Sequence, residues 1–132
     1  MMKIDQVLET NFIVLQNEMT LGEMLRQGVA KSSRNIFPVL DQKKQFLGTV
    51  LLDDVRSVMF DQSLYDSTTV SLFMKPAPEV IFYTDSMEVI MNKFKRTGAW
   101  NLPVIKNDQY MGFISKSKLL TAYRNKLIEV TS

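Results

Sequence analysis

Asn35-Ile-Phe-Pro-Val-Leu40 and Trp100-Asn-Leu-Pro-Val-Ile105 carry one pattern, apolar–Pro–Val–aliphatic, and the chain presents it twice. Each copy is followed by an aromatic–aliphatic–glycine step, Phe46-Leu47-Gly48 in the first and Tyr110-Met111-Gly112 in the second. Upstream, Thr20-Leu-Gly-Glu23 stands as far before Pro38 as Asp85-Ser-Met-Glu88 stands before Pro103. The offset is 65 residues at the prolines and 64 at the glycines, so the halves differ by one turn residue. Register kept over several separate elements implies duplication: half the chain is one structural unit and two copies make the whole.

Bulk properties narrow the class. At 132 residues, 45% of them hydrophobic, the chain is long enough to bury a real core and too apolar for disorder. A net charge of +2, without a basic stripe, argues against nucleic acid as a partner. The chain has no cysteine and no histidine, which removes disulfides, thiol nucleophiles, the usual zinc ligands and histidine acid–base chemistry together. With no acid–base pair at workable spacing either, no enzymatic activity, no catalytic residue and no metal ligand are expected. No apolar run suits a membrane helix, and the start, Met-Met-Lys-Ile-Asp, lacks the apolar core of a signal peptide. The fragment reads as a soluble cytosolic module.

Each half reads as strand, helix, strand, strand, helix. In the first, residues 12–15 are a short apolar run, and Thr20 with Glu23 forms a capping box ahead of a helix bearing Leu21, Met24, Leu25 and Val29 inward. Residues 36–40 are continuously apolar, as a buried strand requires, and residues 46–51 return as its hairpin partner. Asp53 is expected to cap a short helix with Val55, Val58 and Met59 inward. In the second half, residues 80–82 lead, and Asp85 is expected to cap a helix carrying Met87, Val89, Ile90, Met91 and Phe94. Residues 102–105 and 110–115 form a hairpin around Asn107-Asp108, and Ser117 is expected to cap a last helix through Leu119, Leu120 and Tyr123. The expected divisions are a lead-in at 1–10, repeats at 11–60 and 79–126, a linker at 61–78, polar over 61–71 with a turn of helix ended by prolines after it, and a tail at 127–132. Neither half buries enough alone, so the fold class is α/β (α+β), two β-α-β-β-α repeats about a pseudo-two-fold axis with sheets face to face.

This order of elements, with its Pro-Val strand and Gly strand, resembles a CBS domain, and two in tandem resemble a CBS pair (Bateman module). The resemblance covers nearly the whole chain. It implies a regulatory module that commonly binds adenine nucleotides and is attached to a transporter, channel or enzyme. Three strings are similar, more narrowly, to the cytosolic C-terminal CBS pair of bacterial CLC-type chloride channels: Ala30-Lys-Ser-Ser-Arg-Asn-Ile-Phe-Pro-Val39, Arg96-Thr-Gly-Ala-Trp-Asn-Leu-Pro-Val104 and Gly112-Phe-Ile-Ser-Lys-Ser-Lys118. Ala-Tyr-Arg-Asn-Lys at 122–126 agrees. That likeness implies a module at the cytoplasmic face of the inner membrane, a homodimer through its helices, modulating the gating of a membrane-spanning chloride channel domain of the same chain. The doubled Met1-Met2 fits an added start. The alternative is a standalone adenine-nucleotide sensor.

The family pattern also implies a site. A Ser or Thr three residues after the strand glycine bonds phosphate, and an Asp six after it grips the ribose hydroxyls. Here those positions are Leu51 and Asp54 after Gly48, and Ser115 and Lys118 after Gly112. Phe37 and Pro38 in one half, and Asn101 and Pro103 in the other, complete the candidate set for AMP, ADP or ATP. Lys118 is the more damaging departure, because an ammonium donates and cannot accept; the loss is about 1.5–3 kcal/mol. Leu51 costs less, since helix amides behind it still face an anion. The first half is therefore the better candidate, while Lys116 and Lys118 offer point charges to a phosphate. Asp53 and Asp54 are adjacent and do not share a helix face, so they read as cap and solvent rather than as a catalytic or metal-binding pair. Lys31-Ser-Ser-Arg34 reads as a solvated helix end, Trp100 as packing, and Asp61-Gln-Ser-Leu-Tyr-Asp66 as linker.

Overall fold

The computed structural model describes residues 3–131; Met1-Met2, and Ser132 of the expected tail, lie outside the described residues. In chain order the strands and helices are β1 (Leu8–Glu9), β2 (Leu15–Gln16), α1 (Leu21–Gln27), β3 (Ile36–Leu40), β4 (Phe46–Leu51), α2 (Leu52–Val55), β5 (Ile81–Phe82), α3 (Met87–Thr97), β6 (Asn101–Lys106), β7 (Gln109–Ser115) and α4 (Lys116–Thr131). Two sheets and four helices make a mixed α+β fold, with strand orders β2-β3-β4 and β1-β7-β6-β5. The chain divides into two compact units, Asn11–Pro76 and Met1–Thr10 with Ala77–Ser132.

In the 11–76 unit, α1 carries the chain from β2 to its parallel neighbour β3, and a turn returns it antiparallel as β4. Thr20 starts α1 as expected: its hydroxyl accepts from Glu23 N at 3.1 Å, and Glu23 Oε1 accepts from Thr20 N at 3.2 Å. The Thr20 backbone bond is the main reason the Glu23 carboxyl sits below its ordinary value. Leu15, Leu21, Met24, Phe37, Val39, Val50, Val55 and Val70 form the buried core, with Leu25, Val29, Val58 and Met59 packed against it. The polar stretch after α2 is part of this unit. Leu21 N donates to Thr68 O at 2.7 Å, Gly22 N to Tyr65 O at 3.0 Å and Val70 N to Met19 O at 2.8 Å. Tyr65, expected to lie in a linker, donates its hydroxyl to Met59 O.

The other unit repeats the plan. Here α3 joins the parallel pair β5 and β6, and Asn107 and Asp108, both at positive φ, turn the chain into β7. Its core is Ile4, Val7, Ile81, Ile90, Phe94, Leu102, Val104, Ile114 and Leu119. The duplication extends to a defect: Val39 faces Gly48 with a register slip before Leu40, and Val104 faces Gly112 with a slip before Ile105.

Three expected caps are corrected. Leu51 precedes α2 with no side-chain cap, and Asp53 lies inside the first turn, bonded to Arg56 Nε at 2.8 Å. Ser86 caps α3 through Val89 N at 3.2 Å, because Asp85 is occupied by Phe82 N at 2.9 Å and Lys93 Nζ at 2.7 Å. Ser115, not Ser117, accepts from Lys118 N at 3.1 Å and so starts α4. Of the apolar residues expected inward on α3 and α4, Ile90, Phe94 and Leu119 are buried, whereas Val89, Leu120 and Tyr123 are 41–42% exposed.

The repeated glycines mark a close backbone approach. A Cβ on Gly48 would lie 2.5 Å from Lys75 O, and one on Gly112 would lie 2.5 Å from Glu9 O. In each unit a segment from outside the hairpin pairs antiparallel beside that glycine: Lys75 opposite Thr49, and Glu9 opposite Phe113. Gly98, by contrast, ends α3 at φ +67° with open space around it. Gly48→Ala is therefore expected to cost about 1–3 kcal/mol through backbone overlap, against about 1 kcal/mol for left-handed strain alone in Gly98→Ala. Urea unfolding of the two variants checks the order; equal costs would mean that the strand edge yields freely.

Candidate functional site

Both candidate positions follow from one local device, a strand that runs straight into a helix. In the 11–76 unit, Leu51 ends β4 opposite Ile36, and Leu52 N donates to Asn35 O at 2.9 Å as α2 begins. The Leu51 side chain is exposed, with no hydroxyl to offer. α2 has only four residues, so the helix amides expected to compensate for Leu51 come with little dipole. Phe37 and Pro38 are buried in β3, opposite Val50 and Thr49. Phe37 belongs to the core cluster rather than to a surface.

Asp54 is the chemically unusual group of this unit. Its side chain is 31% exposed overall, yet Oδ2 is closed off from solvent and receives no aligned hydrogen bond. What it has is charge: Lys75 Nζ stands 3.1 Å away. A carboxylate oxygen withdrawn from water and served only by an off-line ammonium retains acceptor capacity, which a ligand hydroxyl can fill. Lys75 is the residue that the sequence reading missed. Its backbone is pinned by two 2.8 Å hydrogen bonds with Thr49, Thr49 N to Lys75 O and Lys75 N to Thr49 O. A signal for it existed in Gly48, since glycine inside a strand often marks a second backbone close by.

The equivalent place in the other unit is built differently. Asn101 pairs with Ser115, and Pro103, buried in β6, pairs with Phe113. The Ser115 hydroxyl is used to cap α4, and Lys118 is exposed with no acidic partner among the described residues. Lys116 N donates to Trp100 O at 2.9 Å, and its ammonium stands 5.4 Å from the Trp100 ring centre. Trp100, read as packing, is 71% exposed. The first turn of α4 holds Lys116 and Lys118 and no acidic residue, a charge arrangement that suits anions and not a diol.

The loop at 31–34 is closed on itself: the Ser32 hydroxyl accepts from Arg34 N at 2.8 Å and donates to Arg34 O at 2.9 Å. The Arg34 guanidinium lies 4.2 Å over the Phe12 ring.

Residues 70–125 match the CBS domain family. The fold as a whole is that of a tandem CBS pair. A CBS domain pair/ACT domain protein from Thermotoga maritima superposes with a TM-score of 0.70 at 21% identity, over 99% of this chain and 100% of that one. CbpB in complex with c-di-AMP gives 0.75 at 20%, over 98% and 89%. The CBS domain of a CBS domain containing membrane protein from Sphaerobacter thermophilus gives 0.72 at 17%, over 90% and 86%. At such identities the likeness establishes the fold. Among curated proteins none matches this sequence. Among the described residues no helix is long and apolar enough to cross a membrane.

Proposed function

We propose that this chain is a regulatory CBS pair that binds an adenine nucleotide through its 11–76 unit, with Asp54 accepting from the ribose hydroxyls. The observation that carries this is Asp54 Oδ2, removed from water and without an aligned donor. A ribose diol supplies donors of the kind that oxygen lacks. That CbpB was captured with c-di-AMP supports an adenine-containing ligand for a fold of this type. Without a hydroxyl at Leu51, phosphate recognition in this unit is weak, so the affinity expected is modest. In the other unit, the α4 start with Ser115, Lys116 and Lys118 suits an anion of its own, and Asn101 and Pro103 line the adjoining strand.

The output is mechanical. A nucleotide shifts an attached domain only through a difference in affinity between that domain's states. We take the attached domain to be a CLC-type chloride channel of the same chain, on the strings at 30–39, 96–104 and 112–118. Membrane-spanning segments in the reading frame around this sequence test that assignment, and their absence favours the free-standing sensor. A second copy covers the exposed apolar side chains of Val89 on α3 and Leu120 and Tyr123 on α4, the latter two being neighbours on one helix face.

Two outcomes are expected. Isothermal titration with AMP, ADP and ATP detects binding of at least one, weakened roughly ten- to a hundredfold by Asp54→Ala, the scale of a lost hydrogen bond to a charged group. Silence with all three nucleotides, both in the wild-type chain and with Lys75 replaced by Met, ends the nucleotide assignment. In sedimentation equilibrium the protein runs as a dimer and Leu120→Glu/Tyr123→Asp as a monomer; a wild-type monomer at high concentration contradicts the pairing.

A further inference from the structure

We propose that Lys75 is a built-in counter-ion for Asp54, holding the carboxylate while the site is empty, and that the ribose of a nucleotide has to displace it. The inference rests on the nucleotide reading above and adds the control of that site. Its basis is geometric. The Lys75 backbone is fixed against Thr49 by the pair of 2.8 Å hydrogen bonds, and Gly48 leaves the room that Lys75 O occupies. Pro76 follows at once and restricts the chain beyond it. The base of the lysine is thus anchored, whereas its side chain is 62% exposed and free to swing on a flexible four-carbon stem. The ammonium reaches Asp54 Oδ2 at 3.1 Å, but off the line of a good hydrogen bond. It neutralises the carboxylate without satisfying it.

Such a contact sets affinity by competition. A ligand binds only the fraction of molecules whose acceptor is free, and its apparent affinity falls by that fraction. The device belongs to one unit. In the other, the residue placed like Lys75 is Glu9, opposite Phe113, and the residue placed like Asp54 is Lys118. The residue six after the strand glycine is there an ammonium, which cannot accept from a diol.

The test compares AMP with 2′-deoxy-AMP, so that any attraction between Lys75 and phosphate cancels. Both are titrated into the wild-type chain, Lys75→Met and Lys75→Gln, with urea midpoints confirming that each variant folds. The preference for AMP over 2′-deoxy-AMP is expected to rise roughly two- to fivefold without the ammonium, the scale of a solvent-exposed ion pair. Adding Asp54→Asn to either variant is expected to abolish the gain. Nucleotide binding that appears only in the Lys75 variants supports the inference most strongly. A wild-type chain that binds AMP, with an unchanged or smaller preference in both variants, overturns it and leaves the nucleotide reading standing. No binding by any of the proteins removes the nucleotide reading itself.

Discussion

The structure depends on backbone lying directly against backbone where glycine allows it. At Gly48 and at Gly112 a carbonyl oxygen of another segment occupies the space that a side chain would need. That approach recruits a peripheral segment to the edge of each hairpin, residues around Lys75 in one unit and β1 in the other. Strand edges are thereby covered, which protects them from pairing with other chains. The approach also makes each unit discontinuous in purpose. The stretch between the repeats finishes the first unit before leading to the second, and the first residues of the chain finish the second.

From the same constraint comes the chemistry. Because Lys75 is held beside Thr49, its ammonium meets the residue six after Gly48, and that residue is Asp54. The two units have diverged around this shared frame. One keeps a carboxylate, held by a lysine from the strand edge. The other keeps a serine, which starts α4, and adds two lysines, of which Lys116 stands beside an exposed indole.

Much of the scaffold was legible because it is written twice. The Pro-Val strands, the returning Gly strands and the turns between them follow from period and register alone, and the Thr20 capping box follows from spacing. Cap residues elsewhere were not legible, since several polar groups competed for each helix start. Asp85 is drawn to Phe82 N and to the nearly buried Lys93, leaving Ser86 to cap; Ser115 reaches the α4 amides before Ser117 can. On α3 and α4 the apolar residues do not all share the buried face. Val89 and Leu120 are apolar, but each sits beside a residue, Ile90 or Leu119, that has the inward position. At the candidate site, Leu51 and Asp54 are named only through the family resemblance, which counts from the strand glycine. Lys75 is not named, because Gly48 signals that some backbone comes close without saying which, and the stretch between the repeats reads as a tether.

Amide hydrogen exchange of the whole chain, with and without saturating AMP, tests the central claim most directly. The account predicts slowed exchange at residues 49–55, with exchange at residues 73–76 not slowed, since the ligand takes the carboxylate from Lys75. Exchange left unchanged in both stretches, or slowed at residues 115–118 alone, would contradict it.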